Sequence, residues 1–162
     1  RLIDNENLRW LEEPVIADDI DGYADLKTSC RTPISGGEHE YTLFGFRQLL
    51  EKKAIDVVQF DTNRVGGITQ AHKISALAEA FQIPVIPHAG QVHNFHISMS
   101  SVNAPIVEYF PFWPVEIGNE LFWYIFDGEP QAKNGFIELD ENKHGLGIKL
   151  SNKYLDKFEI IE

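Results

Sequence analysis

The chain has 162 residues, of which 43% are hydrophobic and 24% are charged, an ordinary composition for a folded globular protein. Its formal net charge of −11 argues against nucleic acid as a partner, because proteins that bind nucleic acids carry basic surfaces. The single cysteine, Cys30, excludes an internal disulfide, and no apolar stretch is long enough to span a membrane, so we predict a cytoplasmic protein without a membrane partner.

The first residues of the chain, RLIDNENLRW, contain neither an initiator methionine nor the apolar core of a signal peptide. Their pattern is typical of the end of a helix that leads into a strand. We therefore expect the chain to be the C-terminal part of a longer protein.

Short apolar runs alternate with helical patterns over the first 110 residues. The apolar runs predict strands at 8–12, 33–38, 56–61, 84–88 and 106–109. The stretches between them predict helices at 23–28, 42–53, 69–81 and 92–102. Thr42 is a suitable N-cap for the second of these helices. Strands that alternate with helices in this way are typical of a parallel α/β sheet.

Aromatic residues crowd the segment 110–126, where the character of the sequence changes. Because no basic residue lies between the rings, the segment is more typical of internal packing or of an interface between copies than of a surface that stacks on bases. We predict a homo-oligomer on this ground. The tail that follows mixes glycine, asparagine and charged residues with short extended runs.

Ionisable residues end five of the short apolar runs, at steps of 26, 23, 27 and 20 residues, and they are Glu12, Glu38, Asp61, His88 and Glu108. Parallel strands need a crossover of about this length, usually a helix with two loops. In a parallel barrel the C-terminal ends of the strands meet at one mouth, where such enzymes carry out their chemistry. The spacing therefore predicts that these side chains share one pocket.

Glu12 and Glu38 are candidate ligands of a hard cation such as Mg²⁺, which prefers oxygen ligands and especially carboxylates. The alternative for both is a loop charge in water, because most glutamates are exposed. Glu13 competes with Glu12 for the same role. The alternation of side chains along a strand predicts that these two neighbours point in opposite directions.

Asp61 and His88 follow on successive strand ends and form a candidate general base. A carboxylate that accepts a hydrogen bond from one imidazole nitrogen fixes the tautomer and makes the other nitrogen more basic. A purely structural histidine is the alternative for His88. Glu108 is a candidate for stabilising negative charge on a substrate oxygen, and its alternative is a charge at the rim of the pocket.

Three further residues have less specific signals. His93 and His96, one helical turn apart, are predicted to lie on a helix surface or to line the pocket. Arg64 either pairs with a carboxylate or is a plain loop charge, and its position slightly favours the loop charge. No nucleotide-binding or zinc-protease motif occurs, so nothing in the sequence indicates a nucleotide cofactor.

Five motifs in this order and spacing resemble the enolase superfamily, specifically its mandelate racemase subgroup. They are WLEEP at 10–14, GGEH at 36–39, QFDTNRVGGIT at 59–69, PVIPH at 84–88 and PIVE at 105–108. The motif GxIELxxxxxGLGIKL at 135–150 is similar to the closing segment of that family, with His144 in the usual place of a proline. Within the subgroup, the GEH and PH motifs most resemble those of acid-sugar dehydratases.

The resemblance implies the C-terminal part of a TIM-like (β/α)₇β barrel over residues 1–126. It implies a closing segment over residues 127–162 that returns toward a capping domain. The capping domain, the first barrel strands and the aspartate that is the first metal ligand of the family would all lie upstream of the chain.

The resemblance also implies a role for each of the evenly spaced residues. Glu12 and Glu38 would be Mg²⁺ ligands. Asp61 and His88 would be the basic dyad, and Glu108 would contact the carboxylate or enolate oxygen of the substrate. The implied activity is a hydro-lyase reaction on a small sugar acid, in which the α-proton is removed and the β-hydroxyl is eliminated to give a 2-keto-3-deoxy acid.

Two other activities remain open at the level of the sequence. A racemase or epimerase of the same superfamily would share the removal of the α-proton, but it would need a second base on an upstream strand. A catalytically silent barrel could serve in binding or assembly. The five ionisable residues favour catalysis over that last alternative, because a silent barrel has no need of them.

Overall fold

The computed structural model describes residues 3–111 and 120–155. The aromatic segment 110–126 therefore lies partly outside the described residues, and so does the end of the segment 127–162. The homo-oligomer predicted from the aromatic segment stays a prediction, as does the boundary between the barrel part and the closing segment. No helix within the two described ranges is long and apolar enough to cross a membrane.

Three short parallel strands lie at the centre of the fold, namely β1 at Leu11–Glu12, β2 at Ile34–Gly36 and β3 at Val57–Val58. Strand β2 lies between the other two. A single parallel bridge from Val58 to Val85 places the segment around Val85 next to β3, on the side away from β2. The described residues thus form an open, parallel α/β sheet, which confirms the predicted fold class as a piece of a barrel and not a closed one.

Helices alternate with the strands over the first part of the chain, and two more lie in the tail. They are α1 at Ile20–Ser29, α2 at Leu43–Glu51, α3 at Ile68–Ala80, α4 at Val92–Met99, α5 at Glu120–Ile125 and α6 at Asn152–Leu155. A short 3₁₀ turn at Ile3–Asn5 precedes β1. Near the other end, an antiparallel pair joins β4 at Phe126–Asp127 to β5 at Lys149–Leu150. The four helices predicted from periodicity are all present, with their ends shifted by a few residues.

Local capping explains where two of the helices begin. The Thr42 hydroxyl oxygen accepts a hydrogen bond from the Gly45 backbone N–H at 3.0 Å, as expected of an N-cap. Helix α1 begins earlier than the predicted start at residue 23, because the Asp19 carboxylate accepts a hydrogen bond from the Gly22 N–H at 2.8 Å. A cap of this kind adds a turn that the apolar spacing alone does not reveal.

Of the last two predicted strands, the first is reduced to a single bridge and the second does not form. Residues 84–88 form only the bridge at Val85, although the His88 N–H donates to the Phe60 carbonyl at 2.9 Å. The prediction of a strand at 106–109 is wrong, because this segment forms no strand within the described residues. A parallel strand is defined by a ladder of hydrogen bonds to a neighbour, and apolar content alone does not supply one.

The hydrophobic core lies between the sheet and helices α2 and α3. Phe46 and Phe60 meet edge to face in it, with ring centroids 6.4 Å apart and both side chains fully buried. Gly37, at the end of β2, has a φ of +121°, and a Cβ there would lie 2.6 Å from the Phe46 ring. Only glycine fits this position, so core packing itself fixes the backbone from which Glu38 projects.

Candidate active site

The ends of the strands lie side by side because backbone hydrogen bonds continue past each strand. The Glu13 N–H donates to the Ser35 carbonyl at 3.1 Å, and the Gln59 N–H donates to the Gly36 carbonyl at 2.9 Å. These bonds bring the first three predicted site positions to one edge of the sheet. The backbone geometry thus agrees with the prediction of a shared site.

His88 contacts two of the other predicted residues through its two ring nitrogens. Its Nδ1 lies 3.1 Å from the Asp61 Oδ2, and its Nε2 lies 3.3 Å from the Glu38 Oε2. Asp61 is only 7% exposed, and its Oδ1 accepts a hydrogen bond from the Asn63 backbone N–H at 2.7 Å. An ionised carboxylate can only accept, so Nδ1 carries the hydrogen and Nε2 is the nitrogen that can take up a proton.

Burial and hydrogen bonding shift the pKa values of this pair in opposite directions. Burial acts to raise the pKa of Asp61, but the hydrogen bonds from His88 and from two backbone N–H groups outweigh it and hold that pKa below its usual range. The hydrogen bond to Asp61 raises the pKa of His88 despite burial, and the charges of Glu38 and Glu108 add to the effect. The result is a carboxylate that ionises more readily than usual beside an imidazole that is more basic than usual.

The side chain of Glu108 is hydrogen-bonded to the loop that follows His88. Its Oε2 accepts a hydrogen bond from the Ala89 backbone N–H at 2.6 Å. Burial raises the pKa of Glu108 above its usual range, although the Ala89 hydrogen bond and the charge of His88 oppose this shift. A carboxyl group with a raised pKa can remain protonated and donate a hydrogen bond, as a group that stabilises an oxyanion must do.

The loop after His88 packs closely against the segment that carries Glu108. A Cβ on Gly90 would lie 2.6 Å from both the Phe110 nitrogen and the Tyr109 Cα. This distance is far below any normal contact, so the two stretches of backbone can approach in this way only because residue 90 is glycine.

Arg64 is part of the site, and its interpretation as a plain loop charge is wrong. Its guanidinium donates to the Glu38 carbonyl at 2.7 Å and to the Glu38 Oε1 at 3.3 Å. Its Nε lies 3.9 Å from the Asp61 Oδ2. Arg64 therefore links the candidate metal ligand to the dyad, which sequence position alone does not reveal because Glu38 lies on another strand.

Glu12 and Glu13 have different hydrogen-bond partners. Because β1 ends at Glu12, the alternation predicted for this pair is not tested by the strand. The exposed Glu12 accepts a hydrogen bond from the Gln59 Nε2 at 3.1 Å. Glu13 has a φ of +38°, and its carboxylate lies 3.3 Å from the Gly37 N–H and 2.6 Å from the His39 Nδ1. A non-glycine residue in the left-handed region is uncommon, so the unusual backbone of Glu13 directs its carboxylate toward the loop after β2.

The donor set at this edge fits a hard cation. Among the described residues, one group of at least three potential ligands has its ligand atoms within 4.8 Å of one another, and it consists of Glu13, Glu38 and His39. Glu12, at the end of the neighbouring strand β1, does not belong to this group and accepts from Gln59 instead. A set dominated by carboxylate oxygens suits Mg²⁺ better than it suits a softer metal.

The two histidines of α4 have different surroundings. His96 is half-buried, and its Nε2 lies 3.4 Å from the Leu146 carbonyl in the tail. His93 is half-buried as well, and burial lowers its pKa despite the opposing charge of Asp61. The two placements predicted for His93, on the helix surface or in the pocket lining, stay predictions.

Sequence reasoning did not single out three polar residues that hold the site together. Gln59 donates to Glu12, Asn94 is hydrogen-bonded to the loop after His88, and Glu129 accepts from the Val92 N–H at the start of α4. The position of Gln59, two residues before Asp61 in the predicted strand 56–61, is a signal that could have found it. Asn94 and Glu129 have no such signal, because their partners are distant backbone groups.

Glu129 gives a prediction about pH and stability. Burial raises its pKa from 4.5 to about 7, with the Val92 hydrogen bond opposing the shift. The folded state therefore holds a proton that the unfolded state has lost, so the free energy of unfolding falls as pH rises from about 4.5 to about 7 and then levels off. Glu129→Gln cannot ionise but keeps an oxygen that can accept from Val92.

We expect Glu129→Gln to be more stable than the wild-type full-length protein at about pH 8, and the difference to vanish near pH 4.5. Denaturant unfolding at a series of pH values measures this. Glu138→Gln, at an exposed glutamate of the same segment, is the control and should follow the wild type. Parallel stability curves for wild type and Glu129→Gln would contradict the burial of this charge.

Comparison with known proteins places this geometry in context. The sequence model of the family described as Enolase C-terminal domain-like matches residues 1–154. The chain is 38% identical over 149 residues to an L-rhamnonate dehydratase of Saccharopolyspora erythraea, a match that covers 90% of this chain and 38% of that protein. The chain thus spans well under half the length of this curated relative.

Solved structures give the same result. The L-rhamnonate dehydratase from Gibberella zeae matches with a TM-score of 0.83 and 34% identity, over 93% of this chain and 39% of the other. The L-talarate dehydratase from Polaromonas sp. JS666, solved with Mg and L-glucarate, matches with a TM-score of 0.82 and 31% identity, over 94% and 40% of the two chains.

Proposed function

This chain belongs to the enolase C-terminal domain-like family, and from that premise we propose that it is the barrel part of a Mg²⁺-dependent sugar-acid dehydratase. The proposed substrate is L-rhamnonate or a related aldonate, as the names of the similar dehydratases suggest. The observation that carries the proposal is the arrangement around His88. One ring nitrogen is oriented by the ionised Asp61, while the other faces the carboxylate-rich edge of the sheet.

The proposed Mg²⁺ ligands within this chain are Glu12 and Glu38. When bound, Mg²⁺ would supply positive charge that stabilises the negative charge of the substrate carboxylate as the α-proton leaves. Glu38 has a geometry that supports its part in this role, because Arg64 holds both its backbone carbonyl and its side chain. The proposal needs Glu38 to remain on this edge of the sheet, and the arginine contacts keep it there.

The reaction begins with proton transfer to His88. The α-proton of a carboxylate is a very weak acid, so its removal requires a basic nitrogen in a fixed orientation. The hydrogen bond to Asp61 provides both the orientation and the basicity, and Nε2 accepts the proton. Electron density moves onto the carboxylate oxygens of the substrate, where Glu108, in its protonated form, donates a hydrogen bond.

Elimination follows from the same residues. The bond between the β-carbon and its hydroxyl oxygen breaks as the carbon–carbon double bond forms. The protonated His88 returns a proton to the departing hydroxyl, which leaves as water. The remaining enol tautomerises to the 2-keto-3-deoxy acid. One histidine thus serves in turn as base and acid, so the described residues need no second acid for this step.

A substrate screen tests the proposal. The full-length protein is incubated with Mg²⁺ and a library of sugar acids that includes L-rhamnonate, L-fuconate and L-talarate, and 2-keto-3-deoxy products are detected. We expect turnover of at least one aldonate, its loss when Mg²⁺ is removed with a chelator, and its recovery when Mg²⁺ is restored.

A 3-deoxy analogue of the best substrate is the matched control, because it has an α-proton but no β-hydroxyl to lose. We expect this analogue to exchange its α-proton with deuterated water without elimination. Epimerisation of the ordinary substrate without a keto product would instead favour the racemase or epimerase alternative. If no acid of the library reacts or exchanges its α-proton, the dehydratase proposal fails and the silent-barrel alternative gains.

A further inference from the structure

We propose that Asn94 is a positioning residue of this site, whose side-chain amide holds the loop that carries His88 and, through the same loop, the carboxyl group of Glu108. The inference rests on the proposed function for its catalytic meaning. The geometry that supports it is independent of the substrate, because it consists of hydrogen bonds within the chain.

Asn94 lies in the first turn of α4 and is only 3% exposed. Its Nδ2 donates to the His88 carbonyl at 2.6 Å and to the Ala89 carbonyl at 2.5 Å. Its Oδ1 accepts a hydrogen bond from the Thr62 hydroxyl at 2.6 Å. Both hydrogens of the amide are therefore used, and the side chain has only one orientation that satisfies all of these partners.

The Thr62 contact connects the loop to the other half of the dyad. Thr62 follows Asp61 directly in sequence and is only 2% exposed. Asn94 thus joins the side chain of the residue after Asp61 to the backbone carbonyl of His88. Hydrogen bonds between buried polar groups are costly to break, because neither partner can turn to water instead. The network therefore fixes the distance between Asp61 and His88 without contacting either of their side chains.

The backbone that Asn94 holds is unusual. Ala89 has a φ of +70°, which is in the left-handed region that side chains other than glycine rarely adopt. This conformation persists only where the surroundings enforce it. The Ala89 carbonyl is bound by Asn94 while its N–H donates to Glu108, so the strained peptide is held on both sides.

On its opposite side the loop lies close to the backbone of Tyr109 and Phe110, where a Cβ at position 90 would clash. Without the amide of Asn94, Ala89 can relax to a negative φ. The direction of the Ala89 N–H would then change, and so would the position of the His88 ring. A misplacement of about 1 Å in a catalytic group can cost about a hundredfold in rate.

Asn103 provides a matched control for a merely structural role. Its Nδ2 also donates to two backbone carbonyls, those of Ser75 at 3.2 Å and Ile83 at 3.0 Å. Neither of these carbonyls belongs to a residue of the candidate site. Asn103→Ala should therefore cost stability by the same chemistry as Asn94→Ala, but without an effect on the dyad.

The experiment compares Asn94→Ala, Thr62→Val and Asn103→Ala in the full-length protein. Four quantities are measured, namely kcat, KM, the Mg²⁺ affinity by calorimetry, and the NMR resonance of the His88 Nδ1 proton in protein labelled with ¹⁵N-histidine. For Asn94→Ala we expect kcat to fall about a hundredfold, with KM and Mg²⁺ affinity changed by less than about threefold. The His88 resonance should shift or broaden beyond detection.

Thr62→Val removes only one hydrogen bond of the network, so we expect an intermediate loss in kcat of about tenfold. Asn103→Ala should keep the His88 resonance and kcat of the wild type. The proposal is overturned if Asn94→Ala keeps both, or if Asn103→Ala loses them equally. Should Asn94→Ala fail to fold, an unchanged resonance and kcat in Thr62→Val would overturn it. If the wild type has no dehydratase activity, the proposed function fails, and the His88 resonance still decides the role of Asn94.

Discussion

Replacing His88 with asparagine is expected to abolish dehydration, with a fall in kcat of about a thousandfold or more, while Mg²⁺ binding survives. Asparagine can still donate a hydrogen bond to Asp61, so the local packing is retained. What it cannot do is accept a proton from carbon and return it to the leaving hydroxyl. Steady-state kinetics on the full-length protein and calorimetry with Mg²⁺ measure the two effects separately.

His72→Asn is the control for this substitution, because His72 is an exposed histidine of α3 that contacts no residue of the candidate site. It should leave both kcat and Mg²⁺ affinity as in the wild type. Loss of solvent exchange at the α-carbon of the substrate would show that His88 acts in the first step as well as in the elimination. Near-normal turnover in His88→Asn would remove His88 from the mechanism.

Glu12→Gln is expected to weaken Mg²⁺ binding by more than about a hundredfold, whereas Glu13→Gln should weaken it by about tenfold or less. The reason is that Glu12 is the proposed ligand, while Glu13 is bound to the Gly37 N–H and the His39 ring. Loss of a ligand costs more than loss of a residue that orients the neighbouring loop. Calorimetric titration of each variant with Mg²⁺ measures the difference.

The two glutamates have identical side chains, so this pair of variants shows which of the two positions binds Mg²⁺. Glu51→Gln, at an exposed glutamate on α2, removes the same charge at a distance from the site and should bind Mg²⁺ as the wild type does. A larger loss in Glu13→Gln than in Glu12→Gln would transfer the ligand role to Glu13. That outcome would agree with the cluster of Glu13, Glu38 and His39 in the structure.

The helices could be predicted well because their signals are local. The cap at Thr42 and the apolar spacing of α3 depend on residues within a few positions of each other. The strand predicted at 106–109 was wrong because a strand requires a hydrogen-bonded neighbour, which its own residues do not encode. Strands β1 and β3 are shorter than predicted for the same reason, because the length of a strand depends on hydrogen bonds to a second segment.

The candidate site was predictable to the extent that it depends on strand ends. Spacing alone was sufficient to group Glu38, Asp61 and His88, whose side chains are in contact in the structure. Pairing with a carboxylate was one of the two alternatives for Arg64, and it is the one that the structure has. The contacts of Arg64 and Asn94 with backbone carbonyls could not be predicted, because these groups are far away in sequence. Hydrogen bonds to carbonyls have no residue-type signature on the accepting side, so sequence patterns cannot report them.

The close approach at Gly90 sets a limit for anyone who wishes to alter the substrate range of this site. Any larger residue there would wedge the backbone of the His88 loop away from that of Tyr109 and Phe110. The reactive groups on the two stretches would then separate even though none of them had been replaced. Libraries that aim to enlarge the binding space should therefore leave position 90 constant and vary side chains whose removal does not shift the main chain.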